Sequence, residues 1–365
     1  MPSSDAGQLL LVGVPGRELD RESARLFRET QPGGYILFGR NIESPVQLRK
    51  LIDDLRDLSE VEPVITIDQE GGRVSRLKLI GSEPPNARQL RDKNDPELIR
   101  RHGDITGRLL RLFGFNLDLC PVLDISFDDE SDNSLRGRCY GRSSAEVIGK
   151  ATLFNDALRA TGILSCGKHF PGYASAGLDP HHELPRIERS AQEMELHELS
   201  VFRHFAAMVD SMMIGHIAVS GLDPVNRPAS LSPAVVSDLL RRDMGFQGLI
   251  MTDDLDMGAI LNHFGFEETM RLGLEAGNDF LMICHRIEMV AAARRAIEPL
   301  GPLLEPALAS VARFKSRLAA PDLFSVEAFE SIDSEILNLR IATLGEDLAA
   351  QRSPEDGKRS PVELY

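Results

Sequence analysis

The stretch Gly248-Leu249-Ile250-Met251-Thr252-Asp253-Asp254 combines a short apolar run with two carboxylates that follow it directly. A run of this length, with no polar alternation, is typical of a strand that is buried on both faces of a parallel sheet. The strand therefore delivers at least one carboxylate to the end of the sheet.

Seven similar runs occur elsewhere, and they alternate with longer segments that have helical spacing of apolar residues. The eight predicted strands are Leu9 to Val14, Tyr35 to Phe38, Val64 to Asp68, Phe115 to Asp124, Leu164 to Phe170, Met212 to Val219, Leu249 to Asp253 and Phe280 to Cys284. The intervening segments include Val46 to Leu58, Leu98 to Phe113, Ala145 to Ala160 and Ala191 to Val209. Eight βα units predict an α/β fold, a (β/α)8 barrel of the TIM type.

The barrel is expected to form one domain over residues 1–350. Extra helices are predicted near its carboxyl end, around Pro306 to Ala319, Val326 to Phe329 and Glu335 to Gln351. Residues 351–365 contain two prolines, mixed charge and little apolar content, so a flexible tail is expected there.

Charge and cysteine content exclude several classes of function. The 365 residues include 41 basic and 56 acidic side chains, a formal charge of −15, which argues against nucleic-acid and anionic-membrane binding. The four cysteines are far apart, without a CxxC pair, and fit a reducing compartment. The apolar stretch near the amino terminus is too short for a secretory signal, and a cytoplasmic protein without an obligate protein partner is expected.

Polar clusters stand at four of the predicted strand ends, where barrels of this type carry their working residues. They are Asp68-Gln69-Glu70-Gly71-Gly72-Arg73, Lys168-His169-Phe170-Pro171-Gly172, Gly215-His216 and Thr252-Asp253-Asp254. The long connection Ser126 to Ser143, after the fourth strand, is a further candidate. These ends are expected to meet at one mouth of the barrel.

A carboxylate held by a rigid strand can attack an anomeric carbon, and Asp253 is a candidate for this role. Alternatively, one of the two acids caps the following helix while the other pairs with a base. Because the two acids are adjacent, both interpretations can hold together.

The loop from Gly172 to Pro185 contains Asp179-Pro180-His181-His182. Asp179 is placed to orient the imidazole of His181 and to stabilise its charged form, which would make His181 a proton donor and then an acceptor. Two solvated histidines in a surface turn are the simpler alternative. A metal site built from His169, His181, His182 and His216 is a third. The first strand end lacks the His-x-His pair usual in metal-dependent hydrolase barrels, so neither a metal nor another cofactor is expected.

A set of polar groups of several chemical types also occurs at the strand ends, and such a mixture suits directed hydrogen bonds to the hydroxyl groups of a sugar. Each of these groups could instead belong to a satisfied ion pair at the barrel mouth. The set consists of Asp68, Arg73, Arg76, Arg138, Lys168 and His169.

Four elements, taken in order along the chain, resemble those of glycoside hydrolase family 3, and in particular its bacterial single-domain β-N-acetylglucosaminidases. They are Ile67-Asp68-Gln69-Glu70-Gly71-Gly72-Arg73-Val74, Gly167-Lys168-His169-Phe170-Pro171-Gly172, Asp179-x-His181 and Thr252-Asp253-Asp254-Leu255-x-Met257. The Lys-His-Phe-Pro-Gly element followed by Asp-x-His is the most specific part. The resemblance departs at Tyr173-Ala174, where the family usually has His-Gly, and at Pro180.

The resemblance implies roles for individual residues. Asp253 matches the family nucleophile, His181 the general acid/base, and Asp179 the partner of His181. Positions that hold the terminal N-acetylglucosamine are matched by Asp68, Arg76, Arg138, Lys168 and His169. The implied substrates are small carbohydrates or muropeptides, and the implied role is the removal of N-acetylglucosamine during peptidoglycan recycling. A β-glucosidase, a β-xylosidase or a phosphorylase of the same family stays open, as does a barrel that binds sugar without turnover.

Overall fold

The computed structural model describes residues 5–130, 133–173 and 184–351. Eight parallel strands close into a barrel in which each strand pairs with its neighbours along the chain and the eighth pairs with the first. The strands are Leu10–Gly13, Gly34–Leu37, Val64–Ile67, Leu117–Asp118, Leu164–Phe170, Ser211–Ile214, Leu249–Asp254 and Phe280–Ile283. We number them one to eight in this order. The predicted (β/α)8 architecture is confirmed.

Strand four is regular over two residues only, although the sequence predicts a strand from Phe115 to Asp124. Pro121 lies inside this run and has no N–H with which to continue a ladder on both sides. Strand five still donates to this segment, from Cys166 N to the carbonyl of Cys120 and from Lys168 N to that of Pro121. The chain after strand four therefore continues along the barrel wall towards the mouth.

Strand six also ends earlier than predicted, at Ile214 rather than Val219. Its last predicted residues form a separate two-residue strand, Ala218–Val219, which pairs with Arg186–Ile187. The predicted helix from Ala191 to Val209 is interrupted at His197, which separates Ala191–Leu196 from Glu198–Phe205.

Helices surround the barrel and cover its strands. Several begin at a side chain that caps the first free backbone N–H groups: Asp20, Ser44, Asp95 and Ser143 accept from residues two or three positions further on. The α-helices are Arg21–Thr30, Pro45–Leu58, Ala87–Lys93, Pro96–Phe113, Ser144–Ala160, Ala191–Leu196, Glu198–Phe205, Gly258–Leu261, Phe266–Ala276, Val290–Ile297, Glu305–Lys315, Val326–Leu344 and Glu346–Ala349. A π-helix spans Ala234–Asp243.

The prediction of two separate helices, Val326 to Phe329 and Glu335 to Gln351, was wrong. One helix runs through Val326–Leu344, and a short one, Glu346–Ala349, follows Gly345, whose φ is 82°. Asp333, which lies between the predicted segments, accepts hydrogen bonds from the backbone N and the hydroxyl of Ser82, at 2.5 and 3.0 Å. This contact attaches the long helix to the loop after strand three.

A small hairpin follows strand three and brings its polar residues to the mouth. Gln69–Gly71 pairs with Val74–Ser75 in antiparallel fashion, and Gly71 and Gly72 form the turn with φ of 107° and 57°. A Cβ at Gly71 would lie 2.3 Å from the carbonyl oxygen of Pro85, so only glycine fits there. The described part of the chain contains no helix that combines the length and the apolar character needed for a membrane span.

His102 is a buried titratable group in the wall of helices. It is 1% exposed, packs on Phe154 with ring centroids 5.2 Å apart, and has no hydrogen-bond partner for either ring nitrogen among the described residues. Burial lowers the pKa of His102 to about 4. The folded protein therefore holds this imidazole in its neutral form, whereas the unfolded chain binds a proton near pH 6.5.

Replacement of His102 by phenylalanine is expected to reduce the decrease in the free energy of unfolding that occurs as the pH falls. Because the pKa is lowered in the folded state, the wild-type protein loses stability as the pH falls from about 6.5 to about 4, by a total on the order of 3 kcal/mol from this group. Urea unfolding at pH 7.5 and pH 5 measures the difference. If H102F and wild type lose the same stability between these pH values, the neutral imidazole is not its source.

Candidate active site

A cleft opens at the carboxyl ends of the barrel strands. Six predicted site residues line it together: Asp68, Arg76, Arg138, Lys168, His169 and Asp253. Its floor and walls include the apolar side chains of Ile36, Phe38, Leu119, Met213, Met257 and Met282. The cleft thus offers both apolar surface and directed polar groups, as a sugar ring requires. The predicted pair Asp179 and His181, with His182, lies outside the described residues.

Asp253 stands at the end of strand seven with its side chain partly exposed to the cleft. Its Oδ1 accepts a hydrogen bond from the backbone N of Asp254 at 2.8 Å. This bond fixes one carboxylate oxygen against the backbone of the same strand end. The carboxylate is therefore held in one orientation by a rigid element, which is what a nucleophile at this position needs.

The neighbouring Asp254 has a structural role. Its Oδ1 accepts from the backbone N atoms of Asp256 and Cys284, at 3.0 and 3.1 Å, and so ties the loop after strand seven to strand eight. Burial raises the pKa of Asp254 above its usual value, and the nearby carboxylates of Asp256 and Asp253 add to this. Of the two interpretations of the acidic pair, Asp254 fits the structural one.

His216 is also structural. Of the other histidines in the alternative metal site, His181 and His182 lie outside the described residues. The Nε2 of His216 lies 2.8 Å from the carbonyl oxygen of Asp254 and its Nδ1 lies 2.8 Å from the hydroxyl of Ser230. The carbonyl can only accept, so Nε2 carries the proton and Nδ1 accepts from the serine. His216 therefore supports the end of strand seven through its hydrogen bond to the carbonyl of Asp254.

Asp254, Cys284 and His285 bring an oxygen, a sulfur and a nitrogen within 4.8 Å of one another. Such a set resembles zinc ligands. However, Nη1 of Arg40 lies 3.0 Å from Nδ1 of His285, and a guanidinium can only donate. The imidazole proton therefore lies on Nε2, which faces Asp254 Oδ2 at 3.5 Å. In this arrangement the cluster is a hydrogen-bonded group rather than a set of free ligands.

A chain of alternating charges crosses one wall of the cleft. Lys168 Nζ lies 2.6 Å from Asp68 Oδ1, and Arg76 Nη2 lies 3.5 Å from Asp68 Oδ2. Burial alone would raise the pKa of Asp68, but Lys168 and Arg76 outweigh it and hold that pKa below its usual value. Asp68 thus stays an acceptor, and the cations beside it stay donors, for hydroxyl groups in the cleft.

Arg138 reaches the cleft from the long connection after strand four. The connection is anchored by Asp129, which accepts from both Nη atoms of Arg91 at 2.9 and 2.7 Å. Arg138 itself donates Nη1 to the carbonyl of Ser134 at 3.0 Å, and its other nitrogens pair with Glu70. The connection Ser126 to Ser143, which the sequence analysis identified as a candidate, therefore contributes one guanidinium to the site.

His169 is held by a carboxylate. Its Nδ1 lies 2.7 Å from Asp124 Oδ2, so Nδ1 carries a proton that it donates to the carboxylate, and Nε2 is the ring's other nitrogen. Arg138 Nη2 lies 3.5 Å from that Nε2. The same Asp124 accepts from the backbone N of Tyr173 at 2.7 Å, and the ring of Tyr173 packs on His169. Because a guanidinium faces Nε2, the arrangement favours a binding role for His169 rather than proton donation.

Arg73, the remaining member of the predicted polar set, does not line the cleft. Its Nη2 donates to the carbonyls of Ser134 and Asn133, at 2.7 and 3.3 Å. This side chain therefore joins the hairpin after strand three to the loop that carries Arg138.

The sequence analysis missed several residues of the site, among them Glu70, Asp124 and Tyr173. Glu70 was part of a quoted motif without a role, while Asp124 and Tyr173 were not assigned to the site. The signal for Asp124 was its place at the predicted end of strand four. For Glu70 it was an acidic residue within an otherwise assigned polar cluster.

Comparisons with known proteins find relatives of this chain. Residues 3–313 match the Glycosyl hydrolase family 3 N terminal domain. A protein named beta-hexosaminidase from Tolumonas auensis is 34% identical over 76% of this chain and 82% of its own length. Another of that name from Vibrio cholerae is 30% identical over 90% of this chain and 97% of its own length.

Solved structures give the same result. A family 3 β-N-acetylglucosaminidase from Paenibacillus superposes with a TM-score of 0.86 at 30% identity, covering 94% of this chain and 69% of that one. Native NagZ from Neisseria gonorrhoeae superposes with a TM-score of 0.79 at 27% identity, covering 91% of this chain and 97% of that one.

Proposed function

Because the chain belongs to glycosyl hydrolase family 3 and is a glycoside hydrolase, we propose that it is an exo-acting β-N-acetylglucosaminidase that retains the anomeric configuration. The names of its relatives, beta-hexosaminidase and β-N-acetylglucosaminidase, support this choice among the activities of the family. The cleft keeps the carboxylate at the end of strand seven. This argues against the alternative of a barrel that binds sugar without turnover.

The observation that carries the proposal is the position of Asp253. Its oriented carboxylate lines the same cleft as five groups suited to bind hydroxyl groups: Asp68, Arg76, Arg138, Lys168 and His169. A sugar held by these groups presents its ring to the strand-seven carboxylate. The proximity of an oriented nucleophile to a bound substrate removes much of the entropic cost of the reaction.

In the proposed reaction, one oxygen of Asp253 attacks the anomeric carbon and forms a covalent glycosyl-enzyme. His181, protonated and oriented by Asp179, gives its proton to the departing oxygen. The neutral imidazole then takes a proton from water, whose oxygen attacks the anomeric carbon and releases Asp253. Two inversions give net retention. A histidine is suitable beside an anionic nucleophile because its conjugate base adds no negative charge.

We extend the proposal to the substrate in the cell, which we infer to be an anhydro-muropeptide that carries a terminal N-acetylglucosamine. Removal of this N-acetylglucosamine would serve peptidoglycan recycling in the cytoplasm. The support is the likeness of the Lys168-His169-Phe170-Pro171-Gly172 and Asp179-x-His181 elements to those of the bacterial single-domain branch.

A panel of p-nitrophenyl β-glycosides tests the activity. The N-acetylglucosaminide is expected to be cleaved with kcat/KM at least about tenfold higher than the glucoside and the xyloside, since one set of well-placed contacts is worth that ratio. Product NMR is expected to show the β-anomer first. A higher rate on glucoside or xyloside would contradict the N-acetyl preference, and release of a sugar 1-phosphate in phosphate buffer would indicate a phosphorylase.

A further inference from the structure

Glu70 does not line the cleft, although it belongs to the most polar motif of the chain. Its side chain is 6% exposed and borders a separate small cavity behind the cleft wall, beside Asn86, Cys120 and Tyr140. An acidic side chain at this depth is rare unless it is paired. Its position therefore raises the question of what it pairs with.

One carboxylate of Glu70 holds two of the cations that line the cleft. Oε1 accepts from Arg138 Nη2 at 2.7 Å and lies 2.6 Å from Lys168 Nζ. Oε2 accepts from Arg138 Nε at 2.7 Å. The two parallel bonds to the guanidinium fix its plane, and the shared oxygen fixes the ammonium beside it.

The electrostatics of this group depend on the charge of Glu70. Burial alone would raise the pKa of Glu70, but Arg138 and Lys168 outweigh it and hold that pKa far below its usual range. Burial and the positive charge of Arg138 would lower the pKa of Lys168. The carboxylates of Asp68 and Glu70 outweigh both and raise it. Two like charges are therefore kept side by side by the anion that both contact.

We propose that Glu70 is a positioning residue that fixes Arg138 and Lys168 where they bind the hydroxyl groups of the terminal sugar, and that it thereby sets the affinity for substrate. The inference rests on the proposed function, since it names what the two cations bind. Glu70 acts from behind the wall, without a contact to the substrate.

A glutamine at position 70 would have nearly the same shape but no charge, and its amide nitrogen can only donate. With its oxygen in the place of Oε1 it can still accept from Arg138 Nη2 and from Lys168, but its amide nitrogen then stands against Arg138 Nε, donor against donor. The two cations would then repel each other without the anion, and at least one would leave its position.

The chain contains a matched control in Glu83. Its side chain is 2% exposed, and it accepts from Arg340 Nη1 at 2.9 Å with Lys78 Nζ 4.0 Å away. Glu83 is thus a buried glutamate between an arginine and a lysine, and none of these three residues lines the cleft. Any general cost of removing a buried negative charge should appear in E83Q as well.

The experiment compares E70Q, E70D and E83Q with wild type, using the aryl glycoside that wild type cleaves fastest in the panel. We expect E70Q to raise KM about tenfold to a hundredfold, the worth of one or two hydrogen bonds between charged groups, while kcat changes less. E70D, which keeps the charge, is expected to recover part of the loss. E83Q is expected to lower the melting temperature but to keep the wild-type KM.

Either of two kinetic results would overturn the inference: a wild-type KM for E70Q, or an equal rise in KM for E83Q. If wild type cleaves no glycoside of the panel, the proposed function fails, and crystal structures of wild type and E70Q then decide about Glu70 separately. Displacement of Arg138 or Lys168 in E70Q supports the positioning role, whereas unchanged positions of both contradict it.

Discussion

Replacement of Asp253 by asparagine is expected to lower kcat by about 10⁴-fold or more, the range found when one member of a covalent catalytic unit is removed. The amide keeps the hydrogen bond that Oδ1 accepts from the backbone N of Asp254, so the strand end should keep its shape. What is lost is the negative oxygen that attacks the anomeric carbon. Substrate affinity should change much less, because the groups that contact the hydroxyls remain.

The same prediction can be tested by covalent trapping. A fluorinated sugar with an activated leaving group slows the second step, and mass spectrometry of the digested protein should then find the label on the peptide that contains Asp253. In D253A, added azide should restore turnover and give a glycosyl azide of inverted configuration. The control is D238N, at an exposed aspartate that pairs with Arg242 within the π-helix Ala234–Asp243. Labelling of another residue would remove Asp253 from the nucleophile role.

The strands and most helices could be predicted because buried parallel strands are short apolar runs, and this pattern is local. The predicted ends of the strands were less accurate where a local feature competes with the hydrogen-bond ladder between strands. Pro121 shortens strand four, and the chain leaves strand six before His216, whose backbone N donates to the hydroxyl of Tyr173 at 2.5 Å. The long helix Val326–Leu344 was divided in the prediction at a polar stretch that includes Asp333, whose contact with Ser82 is a tertiary one.

The candidate site could be predicted in part for a similar reason. Side chains such as Lys168 and Asp253 follow directly from their place at strand ends, since parallel strands bring their carboxyl ends to one mouth. Their partners do not follow from the sequence, because Glu70 and Asp124 are assigned only by atomic distances between segments far apart in the chain. The separation of Asp253 from Asp254 into two roles also required the hydrogen bonds of each carboxylate.

Replacement of His181 by alanine is expected to produce a loss that depends on the leaving group. A substrate with a sugar or alkoxide leaving group needs protonation of the departing oxygen, and its kcat/KM should fall by about 10² to 10⁴-fold, the usual contribution of general acid catalysis. A dinitrophenyl glycoside leaves readily as an anion, so formation of the glycosyl-enzyme should be slowed far less. For that substrate the second step, which lacks its base, becomes limiting and glycosyl-enzyme accumulates.

A series of aryl β-N-acetylglucosaminides with leaving groups of increasing acidity measures this dependence, with H182A as the adjacent control. The rate of H181A should fall steeply with decreasing acidity of the leaving group, whereas wild type and H182A should show a shallow dependence. Substitution D179N should give an intermediate slope, since it removes only the partner that stabilises the imidazolium. A uniform loss across the series would mean that His181 acts in binding, and the proton donor would then have to be sought elsewhere at the cleft. His169 would be a poor replacement, because its Nδ1 proton is donated to Asp124 and its Nε2 faces the guanidinium of Arg138.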